Sequence, residues 1–251
     1  DRLNHRIRMV TPAGVSSTFA GTGVAGFADG SATTAQFDQP VGLAMSSSGI
    51  LYVADSNNHR IRAIDSAGAV TTFSGLGPPG FTDGIPAAAR FSSPSGLAID
   101  ASGILYVADS NNHRVRKVAT DGSVSTLAGT GAAGSTNGAA TVAELSFPSG
   151  IAWDSFGFVY VTETGSHAIR KIAADGTTSL FVGDAVTPGF ADASGSTARF
   201  TNPSGLSVGV TGSLYVADKG NHRIRSVSPD GAVTTVAGTG ISGAVNGVGE
   251  V

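Results

Sequence analysis

Apolar and polar positions alternate along this chain in short, regularly spaced blocks. Runs of aliphatic, β-branched or aromatic residues are separated by clusters of Gly, Asp, Asn, Ser and Thr. Within 94–128, Gly96–Ile99 predicts a first strand, followed by a Ser-Gly turn. Leu105–Ala108 predicts a second strand, and His113–Arg116 a third after the loop Asp109-Ser110-Asn111-Asn112. Val124–Ala128 predicts a fourth after the Asp121-Gly122 turn. Segments this short, bounded by residues that tolerate tight turns, form hairpins. Gly129–Phe147 is a long connection rich in Gly, Ala, Ser and Thr, with a short helical turn expected at Ala139–Glu144.

The pattern repeats. Asn-His-Arg-Ile-Arg stands at Asn4–Arg8, Asn58–Arg62, Asn112–Arg116 (with Val115) and Asn221–Arg225, with a degenerate copy at Ser166–Arg170. His5, His59, His113, His167 and His222 are all the histidines of the chain, spaced 54, 54, 54 and 55 residues apart. Leu51–Asp55 returns at Leu105–Asp109, Val159–Glu163 and Leu214–Asp218. Pro40–Ala44 returns at Pro94–Ala98, Pro148–Ala152 and Pro203–Ser207. A four-stranded unit cannot bury both faces alone, so neighbours must stack. Repeated antiparallel meanders predict an all-β chain folded as a β-propeller of four-stranded blades, rather than a flat solenoid. One domain over 1–251 is expected. Its units are a half blade at 1–23, complete units at 24–77, 78–131, 132–185 and 186–240, and the start of a further repeat at 241–251. Four blades are complete and one is half; the complete ring is expected to hold five or six. The half blade leaves an unpaired strand edge, which invites association.

Tyr-Val-Ala-Asp followed by Asn-His-Arg-Ile-Arg resembles the NHL repeat, named for its Asn-His-Leu motif, and the resemblance covers essentially the whole chain. It implies a propeller, commonly six-bladed. The Ala-Gly-Thr-Gly elements (Ala20–Gly23, Ala128–Gly131, Ala237–Gly240) and Gly26–Gly30 with its echoes are similar to long NHL arrays in bacterial exported and cell-surface proteins. NHL propellers also resemble lyase and lactonase propellers, which place a metal and acid/base groups in a central channel.

Composition narrows the picture. With 41% apolar residues the chain can bury a sizeable core, and its 13% charged residues are about half the usual share. Glycine, at 36 of 251 residues, fits many tight turns. A net charge of −3 argues against nucleic acid as a partner. The absence of cysteine excludes disulfides and thiolate metal sites, and no apolar run is long enough for a membrane span. The opening Asp1-Arg2-Leu3-Asn4-His5 is not a signal peptide; an exported protein with its signal removed or encoded upstream is the expected setting, whether extracellular, cell-surface or periplasmic.

Candidate chemistry follows the repeat. Asp1, Asp55, Asp109 and Asp218 stand four residues before His5, His59, His113 and His222, and five before Arg6, Arg60, Arg114 and Arg223; Glu163 holds the same place before His167. With Asn4, Asn58, Asn112 and Asn221 they are read as a structural network in which the acid accepts backbone N–H groups and pairs with arginine. A catalytic centre needs different groups on different sides, and these are the same in nearly every unit. No catalytic, cofactor-binding or metal residue is assigned. Asp29, Asp83, Asn137, Asp192 and Asn246 lie in the Gly-rich connections. Oxygen donors beside Gly suit Ca²⁺, but one carboxylate per loop is thin and turn-capping is the better account, so no cofactor is expected. The unit from Pro148 to Ile172 departs most from the others, and Trp153, Phe156 and Phe158, with Lys219 in the following unit, are candidates for a contact surface.

Three functions compete. The first is a non-enzymatic interaction or scaffold propeller with a protein or glycan partner, part of a larger exported or surface protein. The second is a structural subunit that completes its open blade in trans. The third is a lyase- or lactonase-like enzyme.

Overall fold

The structure is a computed structural model that describes residues 1–244. Asn246, and with it most of the repeat start at 241–251, lies outside the described residues. The chain divides into two compact units, 1–112 with 116–125, and 113–115 with 126 onward.

In the first unit, β1 (Ile7–Val10) and β2 (Ser16–Ala20) form a two-stranded hairpin. The strands β3 (Pro40–Met45), β4 (Leu51–Asp55), β5 (Arg60–Ile64) and β6 (Val70–Ser74) form a four-stranded antiparallel sheet in chain order. A third sheet contains β7 (Pro94–Ile99), β8 (Leu105–Asp109), β9 (Arg114–Val118) and β10 (Val124–Ala128), and the division of the chain runs through β9 and β10. The second unit holds two more such sheets. One is β11 (Pro148–Trp153), β12 (Val159–Glu163), β13 (Ala168–Ile172) and β14 (Thr178–Gly183). The other is β15 (Pro203–Val208), β16 (Leu214–Asp218), β17 (Arg223–Val227) and β18 (Val233–Ala237). The chain is all-β, with four four-stranded blades of the β-propeller class and one two-stranded half blade.

Each blade is apolar on both faces, and the register shows why its second strand reads as an unbroken apolar run. Val53 lies opposite Arg62 and Leu51 opposite Ile64. Val53, Ile64 and Val70 pack with Ile7, Ala20 and Phe37, while Tyr52, Ala54 and Ile61 face the other way into Ala89, Phe91 and Leu97. Two-sided burial replaces alternation with continuous hydrophobicity. In the second unit Tyr160, Ile169 and Val182 pack in the same manner on Ala198, Phe200 and Leu214.

The first strands come very close to one another. A Cβ on Gly42 of β3 would lie 2.9 Å from the Leu97 nitrogen of β7, and one on Gly150 of β11 would lie 2.8 Å from the Leu206 nitrogen of β15. Gly42 and Gly150 are therefore contact residues between blades. The connection preceding each blade runs along that blade's outer strand: Gly30 and Val70 exchange backbone hydrogen bonds of 3.0 and 2.7 Å, as Gly84 does with Val124 and Gly138 with Thr178. This covers an otherwise open edge.

The short turn expected at Ala139–Glu144 is present, closed by Val142 and Ala143 N–H bonds to the Ala139 carbonyl. One local expectation is revised. The third strand starts at Arg60, Arg114 or Arg223 rather than at the preceding histidine. The histidine is instead the left-handed residue (φ 50–55°) that closes the loop after the second strand.

Candidate functional site

The repeated Asp, Asn, His and Arg side chains gather at the end of each blade where the second strand turns into the third. In the first unit, Asp55 is fully buried. One of its oxygens accepts the Asp38 N–H at 2.8 Å; the other accepts Asn58 Nδ2 and Arg62 Nη1, each at 2.8 Å. The Arg62 guanidinium, also fully buried, donates further to the carbonyls of Gln36 and Ala28 and to Asp29. The acid's partner is thus the second arginine of Asn-His-Arg-Ile-Arg, seven residues on, and not Arg60. Arg60 runs outward to the Leu76 carbonyl at 2.7 Å. Arg60 and Arg62 share one face of β5, but Arg60 starts the strand opposite Asp55, whereas Arg62 lies one step further in, opposite Val53, and is fully buried. Asp109 and Arg116 repeat the arrangement with Asn112, Ser92 N–H and Asp83. Burial pushes the Asp109 carboxyl up, while Arg116, Asn112 and the Ser92 N–H pull it down. Arg62 also lies between the rings of Phe27 and Phe37, and Arg116 between Phe81 and Phe91.

In the second unit, Asp218 and Arg225 form the same pair at 2.8 Å with Asn221, Thr201 N–H and Asp192, between Phe190 and Phe200. Arg223 runs outward to the Thr239 carbonyl and stacks on Phe190 at 3.9 Å. Arg114, in the same place, donates to the Thr130 carbonyl. The divergent blade changes several positions together. Glu163 is one methylene longer than Asp, and Ser166, shorter than Asn, donates to it at 2.5 Å. Arg170 pairs with Glu163 at 3.2 Å and with the neutral Asn137 at 2.8 Å. Burial pushes the Glu163 carboxyl up against the pull of Arg170, Ser166 and the Ser146 N–H. Ser135, Leu145 and Ala168 stand where the other blades carry Phe, Phe and the outer Arg, and Ala185 stands where Gly77 leaves room for Arg60. The stack is lost as a set.

The half blade differs. Asp1 accepts both of its bonds from Asn4 Nδ2 at 3.0 Å, and Arg6 donates to the Thr22 carbonyl at 2.6 Å. Arg8, in the place of Arg62, donates to Ser16 and Ser17.

The histidines tie one repeat to the next. His5 Nδ1 accepts the Gln39 N–H at 3.2 Å, and His59 Nδ1 the Ser93 N–H at 3.0 Å. His113 does the same for Phe147 and His167 for Asn202, each at 3.2 Å. Every donor immediately precedes the proline that opens the next first strand, and each is left-handed, with φ of 48–52°. That conformation is unusual for a residue before proline. No such bond to His222 exists among the described residues.

The proposed contact residues do not share one surface. Trp153 lies opposite Val159, on the face away from Tyr160 and Phe158. Phe156, 81% exposed, tips the β11–β12 turn, and Phe158 carries Lys171 Nζ 3.6 Å above its ring. Lys219 sits after β16, at the opposite end of the strands from such turns. Sequence reading missed Thr162, whose hydroxyl donates to the Ser204 carbonyl at 2.6 Å and accepts the Gly150 N–H at 2.8 Å, joining β12 and β11 to β15. It also passed over the residues before each proline. The signal for both was position: Thr162 replaces a repeated Ala. Among the described residues no group of three His, Asp or Glu could hold a metal ion, and no helix is long and apolar enough to cross a membrane.

The blades, with their buried Asp–Arg pair and histidine tie, define a β-propeller built from one recurrent module. The sequence model of the NHL repeat matches residues 37–64, 91–118 and 200–225. The chain belongs to the NHL-repeat proteins. It is 33% identical over 215 residues to NHL repeat-containing protein 2 from Bos taurus, a match covering 75% of this chain and 30% of that protein. The chain therefore spans about a third of the length of that curated relative. Among solved structures it is similar to an auxiliary nutrient binding protein from Bacteroides thetaiotaomicron (TM-score 0.66, 16% identity, 92% of this chain and 54% of that one). It is also similar to a gluconolactonase from Xanthomonas campestris (TM-score 0.65, 18% identity, 94% and 69%). At these identities the likeness is one of fold.

Proposed function

We propose that the chain is a non-enzymatic interaction propeller, part of a larger exported or cell-surface protein, that contacts a protein or glycan partner through exposed side chains of its blades. The observation that carries this reading is the state of the motif acids. Asp55, Asp109, Glu163 and Asp218 are fully buried, and their oxygens are engaged by arginine, by Asn or Ser, and by backbone N–H groups. A general acid or base has to reach its substrate within hydrogen-bond distance, and carboxylates held in this way serve the fold. Fold likeness to a lactonase carries no chemistry by itself. The proposal includes no cofactor, nucleic acid or membrane span. The contact patch we favour is the rim of the divergent blade, where Phe156 projects from the β11–β12 turn two residues before Phe158, whose ring carries Lys171 Nζ: exposed apolar and cationic groups on one blade suit a partner with aromatic and acidic groups.

A photo-crosslinking residue at Phe156 tests this against extracts of the source cells, with parallel lactone-hydrolysis assays on the purified chain. The expected result is one saturable adduct, competed by unlabelled chain, and no turnover above buffer. Turnover abolished by a single side-chain replacement would overturn the proposal.

A further inference from the structure

Asp29, Asp83 and Asp192 hold one place in the Gly-rich connections, and each meets the buried arginine of its blade there. Such a carboxylate has two oxygens and two kinds of donor to serve. Arg62 Nη2 donates to Asp29 Oδ1 at 2.6 Å, and the Thr72 N–H of β6 donates to Oδ2 at 3.1 Å. Arg225 Nε donates to Asp192 Oδ1 at 2.9 Å, and the Thr235 N–H to Oδ2 at 3.1 Å. In the divergent blade this place is taken by Asn137. Its Oδ1 accepts Arg170 Nη2 at 2.8 Å, but its other terminal atom, Nδ2, is a donor and accepts nothing. Leu180 stands opposite Arg170 as Thr72 stands opposite Arg62 and Thr235 opposite Arg225. Among the described residues no hydrogen bond joins the Leu180 N–H to Asn137. Arg170, fully buried, pairs with one carboxylate, that of Glu163, where Arg62, Arg116 and Arg225 each pair with two. The site is shaped for a carboxylate and holds an amide.

Asn137 is also followed by Gly138, and no other described Asn precedes Gly. With no side chain at Gly138, its backbone nitrogen can swing onto the Asn137 amide carbon. We propose that Asn137 is a self-modifying site, which the chain converts to aspartate. The Gly138 nitrogen gives its proton to water and attacks Asn137 Cγ, and the carbonyl electron pair moves onto Oδ1. Arg170, already bonded to Oδ1, stabilises that oxyanion. The pair returns, the Cγ–Nδ2 bond breaks, and ammonia leaves with a proton from water, so that a cyclic imide remains. Water then adds to Cγ, the bond from Cγ to the Gly138 nitrogen breaks, and that nitrogen recovers its proton. Asn137 is exposed, so water reaches it. The fold sets both rate and product. The Gly138 N–H donates to the Thr178 carbonyl at 2.9 Å, and the Gly138 carbonyl accepts the Thr178 N–H at 2.8 Å. Attack waits for this pair to open, so the conversion is slow and follows local opening. Hydrolysis at the main-chain carbonyl of the imide instead would insert a methylene into the backbone and push Gly138 out of step with Thr178. The normal aspartate keeps that pairing, gives Arg170 its second carboxylate and offers an acceptor to the Leu180 N–H.

The test ages the purified 251-residue chain for several weeks at mildly alkaline pH, folded and in unfolding urea, and follows intact mass and peptide maps. The folded chain is expected to gain about 1 Da, the exchange of an amide NH₂ for a hydroxyl, located at residue 137 and mainly as normal aspartate. In urea the gain should come faster and include the isomer with the rerouted backbone. Asn137→Gln, whose longer side chain disfavours the same ring closure, should remove the gain at 137. Asn137→Asp should unfold at a higher urea concentration than the fresh chain. The proposal is overturned if the folded chain keeps its amide at 137 throughout, if the gain maps only to Asn246, or if the rerouted isomer predominates in the folded chain. A lower urea midpoint for Asn137→Asp would equally sink it, because the site would then prefer the amide.

Discussion

His59 accepts a hydrogen bond on Nδ1 from the backbone N–H of Ser93, 34 residues away, at 3.0 Å, and both residues are left-handed, with φ of 55° and 52°. Neither conformation is favourable for a residue with a side chain. The bond holds the two together, and it requires an imidazole with Nδ1 unprotonated.

This makes the ties acid-labile. Burial, and after it the neighbouring arginine, lowers the pKa of His59 and of His113. The unfolded chain therefore takes up protons at these sites first. Their contribution to stability is complete above the ordinary histidine value near 6.5 and is lost as pH falls from there through the lowered folded value. Urea melts between pH 7.5 and 5 are expected to show this loss. His59→Ala should reduce stability by about 1 kcal/mol at pH 7.5 and flatten the slope over that interval; an unchanged slope would refute the assignment.

The buried pair should be intolerant of losing one member. Asp109→Ala leaves the Arg116 guanidinium, fully buried, without its inner acid. A loss of about 3–5 kcal/mol is expected by chemical denaturation. Arg116→Lys should also be severe, because one ammonium cannot reach Asp109, Asp83 and the carbonyls of Arg90 and Thr82 together.

Glu163 and Ser166 should behave as a unit. Glu163→Asp alone leaves the acid short of Ser166, and Ser166→Asn alone crowds the longer acid. The double variant recreates the Asp-Asn pair of the other blades. A double-mutant cycle is expected to give a favourable coupling of about 1 kcal/mol or more, and additive single effects would refute the coupling.

Phe156→Ser should leave the melt within about 0.5 kcal/mol of wild type, because the ring is mostly exposed. If the proposed contact patch is right, the same change removes the crosslinked partner. A large loss of stability would instead make Phe156 part of the core.

Much of the architecture was legible from the chain alone. Short apolar runs bounded by Gly, Asp and Asn, returning every 54 or 55 residues, lead to four-stranded units because strand pairing in a meander is local. The acid–arginine network was legible only in outline. Arg60 and Arg62 share a strand face and are equally good candidates on paper, and the choice falls to the packing of the preceding connection, whose Gln36 and Ala28 carbonyls and Asp29 carboxylate enclose Arg62. The contact surface was the least legible: Trp153 and Phe158 are close in sequence, but the β11–β12 pairing sends them to opposite faces.

What the sequence determined by itself is therefore everything that depends on local periodicity: the strands, the turns, the units and the recurrence of Asp, Asn, His and Arg at one place in each. Tertiary structure decided what meets across repeats. His59 and Ser93, Gly75 and Phe91, Gly42 and Leu97 are brought together by the stacking of one twisted sheet on the next. Stacking depends on the summed packing of two faces and on close backbone approach, and neither leaves a periodic trace along the chain.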